Sequence, residues 1–510
     1  MSRTRIVTVI VLTAVVVVVA AVVIVRQVAP RPRGVEVELE AFERTPLSRL
    51  ATVRSRDEVR VALRVHGRDG SDLTAAFSGY HRYHRVPLLG LYPDHANRVT
   101  FTVTDREGRS RSVEREIVTE ALPAQYPDIR IERVRPDLMS GGMVLLHLAA
   151  YDAEGTYTPL ASVVDRHGRV RWLYTEDYGH LLVPLRNGNL MIEQEDRLVE
   201  IDWLGRAPWE GWEIPNGLHH DALELPDGNI LALSAAPGSN QDGMVEVDRA
   251  TGEITRAWDF REILDPDRPR QPINLEDADW LHLNGLHYDA QDGAAVLSGR
   301  DQSAVVKIDQ DNGELTWILG NHRHWKKEFR PYLLDPVGEP FEWPWGQHAP
   351  ELHPADNRRI LIYDNGNHRS YDDPLPPAAS YSRAVEYLVD EEAGTVEQLW
   401  QYGKERGAEL FTPFIGDADY LPNGNRLIAF GGISRKLDGT PQALFDLEAM
   451  EVNDMKISAH IVEVTEDTPA RRVMELVFED PDTSTYAGYR IYQAERIDLY
   501  ERVLGTTGNG

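Results

Sequence analysis

From Glu58 to Gly67 the chain reads EVRVALRVHG, with polar and apolar residues in strict alternation, and RVTFTV at Arg98 to Val103 repeats the pattern. A period of two puts every second side chain on one face of an extended strand. Turn-forming clusters, GRDGSD, YPDHAN and DREGRS, separate such runs. Together they predict a small antiparallel β-sandwich over residues 35–127, closing near TEALPAQYP.

Beyond it, two elements alternate at intervals of about 40 to 70 residues. One is a turn followed by a strand: LRNGNLMIE, LPDGNILAL, HPADNRRILIY and LPNGNRLIAF. The other is a strand, a turn and a strand ending in tryptophan: VVDRHGRVRWLY, EVDRATGEITRAWDF, KIDQDNGELTWILG and LVDEEAGTVEQLWQYG. Each pair matches the four strands of a propeller blade. The spacing predicts six blades, near 139–176, 179–214, 217–262, 280–320, 345–403 and 414–479, within a domain of residues 128–510. The tail YAGYRIYQAERIDLY would supply a strand that closes the ring, and the tryptophans would pack between blades. Only DFREIL and HWKKEFRPYLL read as helical, both between blades. The expected fold class is therefore all-β: a six-bladed propeller preceded by a small sandwich.

Residues 1–34 stand apart. The run IVTVIVLTAVVVVVAAVVIV, Ile6 to Val25, is long enough to span a bilayer as a helix at about 1.5 Å per residue. No small-residue cleavage site follows it, so it reads as an uncleaved transmembrane anchor, with a cleaved signal as the alternative. Arginines flank both ends, at Arg3 and Arg5 and at Arg26, Arg31 and Arg33, so charge does not fix its orientation. The net charge of −28 excludes a nucleic-acid partner, since no basic face can displace counterions from phosphates. With no cysteine, disulfides, thiolate metal sites and a cysteine nucleophile are excluded as well.

Three blades begin alike: GLHHDALEL, WLHLNGLHY and GQHAPELHP. In each a histidine precedes a leucine by four: His219 and Leu223, His282 and Leu286, His348 and Leu352. Placed on innermost strands, these imidazoles would meet on the axis, with Asp221 and Asn284 on the same faces by alternation. His220 makes the register ambiguous. Arg300 ends the strand after His282. His287, His322, His324, His353 and His368 read as surface or loop residues. Histidines without cysteine can hold zinc or iron, but a fixed arginine beside a metal is repulsive unless an anion lies between. Arginine and histidine are suited to the oxygens of a sulfuryl or phosphoryl group in transfer. A neutral imidazole can act as nucleophile while another protonates the leaving oxygen.

These segments resemble the bacterial arylsulfate sulfotransferases, which use a phenolic sulfate as donor. The resemblance lies in HLNGLHYDAQDGAAVLSGRDQSAVVKID with WILG, in GQHAPEL with IYDNGNHR, and in GLYPDHANRVTFTV of the amino-terminal region. It implies a six-bladed propeller exported to the periplasm and a ping-pong transfer to a phenol through a sulfated histidine, without a cofactor. It further implies that His348 is the nucleophile, that His282 and Arg300 hold the sulfuryl oxygens, that Asn284 positions the group, and that His219 or His220 completes the set. The expected location is extracytoplasmic, at the membrane; a homodimer is compatible with the sequence. Two other readings stand beside this one: a metal-dependent propeller hydrolase of lactones or esters, and a non-catalytic, anchored propeller that binds ligands. Trp343 and Trp345 would pack in the core or wall the aromatic donor.

Overall fold

A computed structural model of the chain describes residues 32–179, 181–209, 211–270, 279–443, 455–482 and 484–501. The apolar run from Ile6 to Val25 lies outside the described residues, and among these no helix is long and apolar enough to cross a membrane. The described strands form one amino-terminal sheet of five strands and six further sheets of four or five strands each.

In the amino-terminal sheet, alternation sets the burial. Along Arg49–Val65, the residues Val59, Val61, Leu63 and Val65 are buried while Arg60 and Arg64 face water. All five strands hydrogen-bond into one sheet, because Arg49–Val65 is irregular between Arg54 and Val59. Its first half pairs with Glu36–Ala41 and its second with His95–Asp105, while Leu73–Leu88 runs along the other edge. This sheet shares a hydrophobic core with the sheet that follows. Tyr500 Oη accepts from the Leu89 amide at 2.8 Å, and the buried Arg171 donates to the Gly90 carbonyl at 2.7 Å.

The later sheets span 143–173, 182–213, 218–259, 283–320, 335–402 and 417–478, an order consistent with an all-β propeller. Their middle strands, such as Ala294–Gly299 and Ala304–Asp309, are buried along nearly their whole length. They carry near-continuous apolar runs because other sheets cover both faces. The tryptophans pack between sheets as expected: Trp317 lies with Ile360, Ile362 and Val385, and Trp400 with Ile428 and Val462. Both expected helical segments form, as the short helix Phe260–Ile263 capped by Asp259 and as a 3-10 turn at Lys327–Tyr332, and two further 3-10 segments, Pro377–Ala379 and Lys404–Leu410, were not expected.

Both ends of the repeat region close the array. Gly488–Ile497, from the tail, pairs with Met143–Tyr151, and Arg130–Val134 pairs with Arg472–Phe478. The first strands of successive sheets then lie side by side: Leu218–Glu224, Leu283–Asp289, His348–His353, Asp417–Tyr420 and finally Gly488–Ile497. Every histidine of the candidate set is on, or immediately before, one of them.

Candidate functional site

The three histidine-bearing strands each start with a break in regular pairing. The register shifts between Leu218 and Ala222, between Leu283 and Gly285, and between His348 and Glu351. At the same points the backbone enters the left-handed region, with φ of 57° at His220, 54° at His282 and 46° at Ala349. Such a residue costs about 1–2 kcal/mol when it is not glycine, and bulges of this kind re-aim side chains beside functional sites.

His282 is buried, and its Nδ1 lies 2.5 Å from Asp279 Oδ2. Asp242 holds the segment from below by accepting from the amides of Leu281 at 2.9 Å and His282 at 3.2 Å. The Arg300 amide donates to the His282 carbonyl at 3.1 Å, which ties the two residues together. The Arg300 guanidinium is buried and donates from Nε to Asp301 Oδ1 at 2.8 Å. Gln347 joins the next strand to this unit. Its side-chain nitrogen donates to the Gly299 and Ala304 carbonyls at 3.2 and 3.0 Å, while its own carbonyl accepts from Asn284 and Ser298, both at 2.9 Å.

The following residue, His348, is 3% exposed. Its Nδ1 lies 2.7 Å from Asn365 Oδ1. Burial pushes its imidazole down to about 3; the Asn365 hydrogen bond opposes the shift and the positive charge of Arg300 adds to it. The ring is therefore neutral at physiological pH.

Of the histidine pair, His220 stands edge-on to His282, with ring centroids 4.8 Å apart. His219 is buried beneath it, Nδ1 to Nδ1 at 3.2 Å, and burial lowers its imidazole to about 4. Tyr492, on the closing strand, completes the group with its ring 6.0 Å from His220 and its hydroxyl donating to the Asn284 carbonyl at 3.3 Å.

The other expected residues do different work. Asn284 spends its amide on Gln347, as above. The Asp221 carboxylate accepts from the Leu286 amide at 2.9 Å and faces a cavity of about 620 Å³ that also bears Glu351, Asp417, Asp419 and Glu495. Burial raises Asp221 to about 7, Glu351 to about 8 and Asp417 to about 6, with Asp417 and Glu495 adding repulsion at Asp221 and Glu351. His287 is no loop residue: it lies within Leu283–Asp289 and lines this cavity, because the bulge at its strand's start leaves regular pairing from Gly285 onward. His353 likewise ends a strand, with its ring against Tyr420. Trp345 is buried against Tyr371, and Trp343 packs on Phe341.

Asp279, Asp301, Asn365 and Tyr492 were not legible in the sequence as site residues. Asn365 lies in YDNGN, which reads as a turn, and Tyr492 in a tail legible only as a closing strand. Chemically, the site gathers one guanidinium, two imidazoles and a neutral, buried third imidazole, a set suited to a small anion. Among the described residues no three His, Cys, Asp or Glu side chains are grouped to hold a metal ion.

Comparison with known proteins gives the family of the chain. The profile of the Arylsulfotransferase (ASST) family matches residues 129–490, and that of the Arylsulfotransferase Ig-like domain matches residues 36–121. The chain is 26% identical to an arylsulfate sulfotransferase AssT of Lelliottia amnigena, over 78% of this chain and 84% of the relative. It is 25% identical to the AssT of Escherichia coli O6:H1, over 85% of this chain and 90% of the relative. Among solved structures, a putative 6-phosphogluconolactonase from Bacteroides fragilis overlaps at TM-score 0.34 with 12% identity, covering 87% of this chain and 99% of its own.

Proposed function

The chain belongs to the arylsulfotransferase family and is a sulfotransferase, and on that footing we propose that it moves a sulfuryl group from a phenolic sulfate ester to a phenol through a sulfated His348. The observation that carries this reading is that His348 and Arg300 are both buried and near enough for the charge of Arg300 to disfavour protonation of the His348 imidazole. A neutral imidazole supplies the electron pair, and a guanidinium stabilises the oxygens of the group being transferred.

In this reading His348 attacks sulfur in line with the phenolic oxygen. The nitrogen–sulfur bond forms as the sulfur–oxygen bond breaks, and the electron pair leaves on the phenolate. Arg300 and His282 hold the three remaining oxygens. His220 or His282 gives the phenolate a proton, since phenols ionise only near pH 10. The second half runs in reverse: the acceptor phenol loses its proton to the same imidazole, attacks sulfur and frees His348. A carboxylate beside an imidazole favours the protonated ring, which suits Asp279 and His282 to hold an anion.

The same proposal takes the six later sheets as the blades of a six-bladed propeller of residues 128–510, and residues 35–127 as the β-sandwich domain that precedes it and packs against it. It also puts the globular part outside the cytoplasm, held there by Ile6 to Val25. Intact-mass and peptide mass spectrometry after exposure to 4-nitrophenyl sulfate without acceptor tests the chemistry. A sulfuryl adduct on the peptide containing His348, absent in His348→Ala, is the expected result. Turnover in the parent protein with no adduct would rule out the covalent route.

A further inference from the structure

We propose that Asn365 is a positioning residue that fixes His348 in the Nδ1–H tautomer, leaving the lone pair on Nε2 as the attacking atom. The inference rests on the reading of His348 as nucleophile.

A neutral imidazole has one N–H and one lone pair, and in a folded protein the hydrogen bonds around the ring set which nitrogen holds which. The neighbour decides. At Nδ1 that neighbour is the side-chain amide of Asn365, whose two ends are told apart only by their other bonds. Here those bonds leave no choice. Asn365 Nδ2 lies 2.9 Å from the Thr412 carbonyl and 2.7 Å from the Ile415 carbonyl. Carbonyl oxygens only accept, so the NH₂ end faces them and Oδ1 faces His348 at 2.7 Å. Oδ1 also only accepts, so Nδ1 must carry the hydrogen. The lone pair is then on Nε2.

The amide cannot turn over without setting its oxygen against the Thr412 and Ile415 carbonyls, which would leave buried acceptors without a donor, at a cost for each group. Asn365, Thr412 and Ser382 are all fully buried. The surroundings are also held fast: Ser382 Oγ donates to the Asn365 carbonyl at 2.7 Å and accepts from the Thr412 amide at 2.8 Å. The kind of partner matters as much as its place. An amide orients the ring without adding charge, whereas a carboxylate at the same distance would favour imidazolium, which has no electron pair to give. His282 has the carboxylate, Asp279, and His348 has the amide. Two histidines of one site are thereby suited to opposite tasks.

The test uses the full-length protein, ¹⁵N-labelled at histidine and free of substrate, with His348 signals assigned by difference against His348→Ala. Long-range ¹H–¹⁵N spectra are expected to show the Nδ1–H pattern for His348 in the parent, and loss of that pattern in Asn365→Ala. An Nε2–H pattern in the parent overturns the proposal whatever the variants do. In kinetics with 4-nitrophenyl sulfate, Asn365→Ala should lower kcat about 10²-fold or more with KM little changed. Asn365→Asp should move the acid limb of kcat/KM upward by about one pH unit or more, because the added carboxylate favours the protonated ring. A loss of activity without movement of that limb would mean the residue is merely structural. The spectra need no turnover. A protein with the Nδ1–H tautomer but no sulfuryl adduct would leave Asn365 in its orienting role and defeat the transfer reading alone.

Discussion

The rings of His220 and His282 stand 4.8 Å apart and nearly perpendicular, at 73°, although the repeat spacing aligns His282 with His219 instead. The left-handed turn at His220 directs that ring to its neighbour while His219 is packed below. His220→Ala should therefore lower the release of 4-nitrophenolate from 4-nitrophenyl sulfate by about 10²-fold or more, as expected on losing an acid–base or anion-holding group. His219→Ala should cost stability first, with kcat reduced less than about tenfold. The reverse order in the two kcat values would reassign the pair.

Arg300 donates to Asp301, and both are buried. Arginine presents a planar fork of donors, and lysine only a point charge. Arg300→Ala should lower kcat/KM by about 10²–10³-fold, the range for removing an oxyanion-stabilising donor. Arg300→Lys should recover only part of the loss. Equal activity of the lysine variant and the parent would show that charge alone suffices.

Gly285 lets the His282 and His348 strands approach. A Cβ there would stand 2.7 Å from Pro350 Cδ and 2.8 Å from the Ala349 nitrogen, next to His348. Gly285→Ala must push that strand away, and displacement of a reacting group by about 1 Å can cost about 10²-fold. The variant should lose turnover of that order while its circular dichroism spectrum stays that of a β-protein. Activity within twofold of the parent would mean the strands relax without moving His348.

Buried titratable groups set the dependence of stability on pH. Asp221, Glu351 and Asp417 are raised to about 7, 8 and 6, so each binds its proton more tightly folded than unfolded. Below about pH 4 they are protonated in both states; as pH rises toward 8 the unfolded chain ionises first and stability is lost. His348, His219 and His287 are lowered to about 3, 4 and 4, so their contribution falls away as pH drops below about 6.5. The melting temperature should pass through a maximum near pH 5 to 6.5 and decline toward pH 9. Glu351→Gln should measurably shrink the alkaline decline, because the group that ionises first in the unfolded chain is gone. A melting temperature that is flat or rising from pH 6 to 9 would contradict the assignment of these acids as buried and raised.

Much of the fold was legible because burial has a period. Alternation marked the amino-terminal strands, the turn-and-strand repeat marked the later sheets, and tryptophans marked the joints between them. His282 and His348 could be picked out because they recur at matching places in that repeat, and Arg300 because it ends the strand after His282. Asp279 and Asn365 could not, since a carboxylate or an amide in a turn is also ordinary turn chemistry, and Tyr492 stood in a tail whose partner strand is more than 300 residues away in sequence.

What the sequence determined by itself was periodic: which segments are strands, in what order they repeat, and which strands start with histidine. The tertiary structure decided everything that depends on a break in the period. Bulges at three strand entrances, with left-handed backbone at His220, His282 and Ala349, turned the side chains away from where alternation would send them. The partners that orient those rings come from other turns of the chain. The physical reason is that a strand's faces follow from local geometry alone, whereas a bulge and a cross-strand hydrogen bond exist only once neighbouring strands have packed.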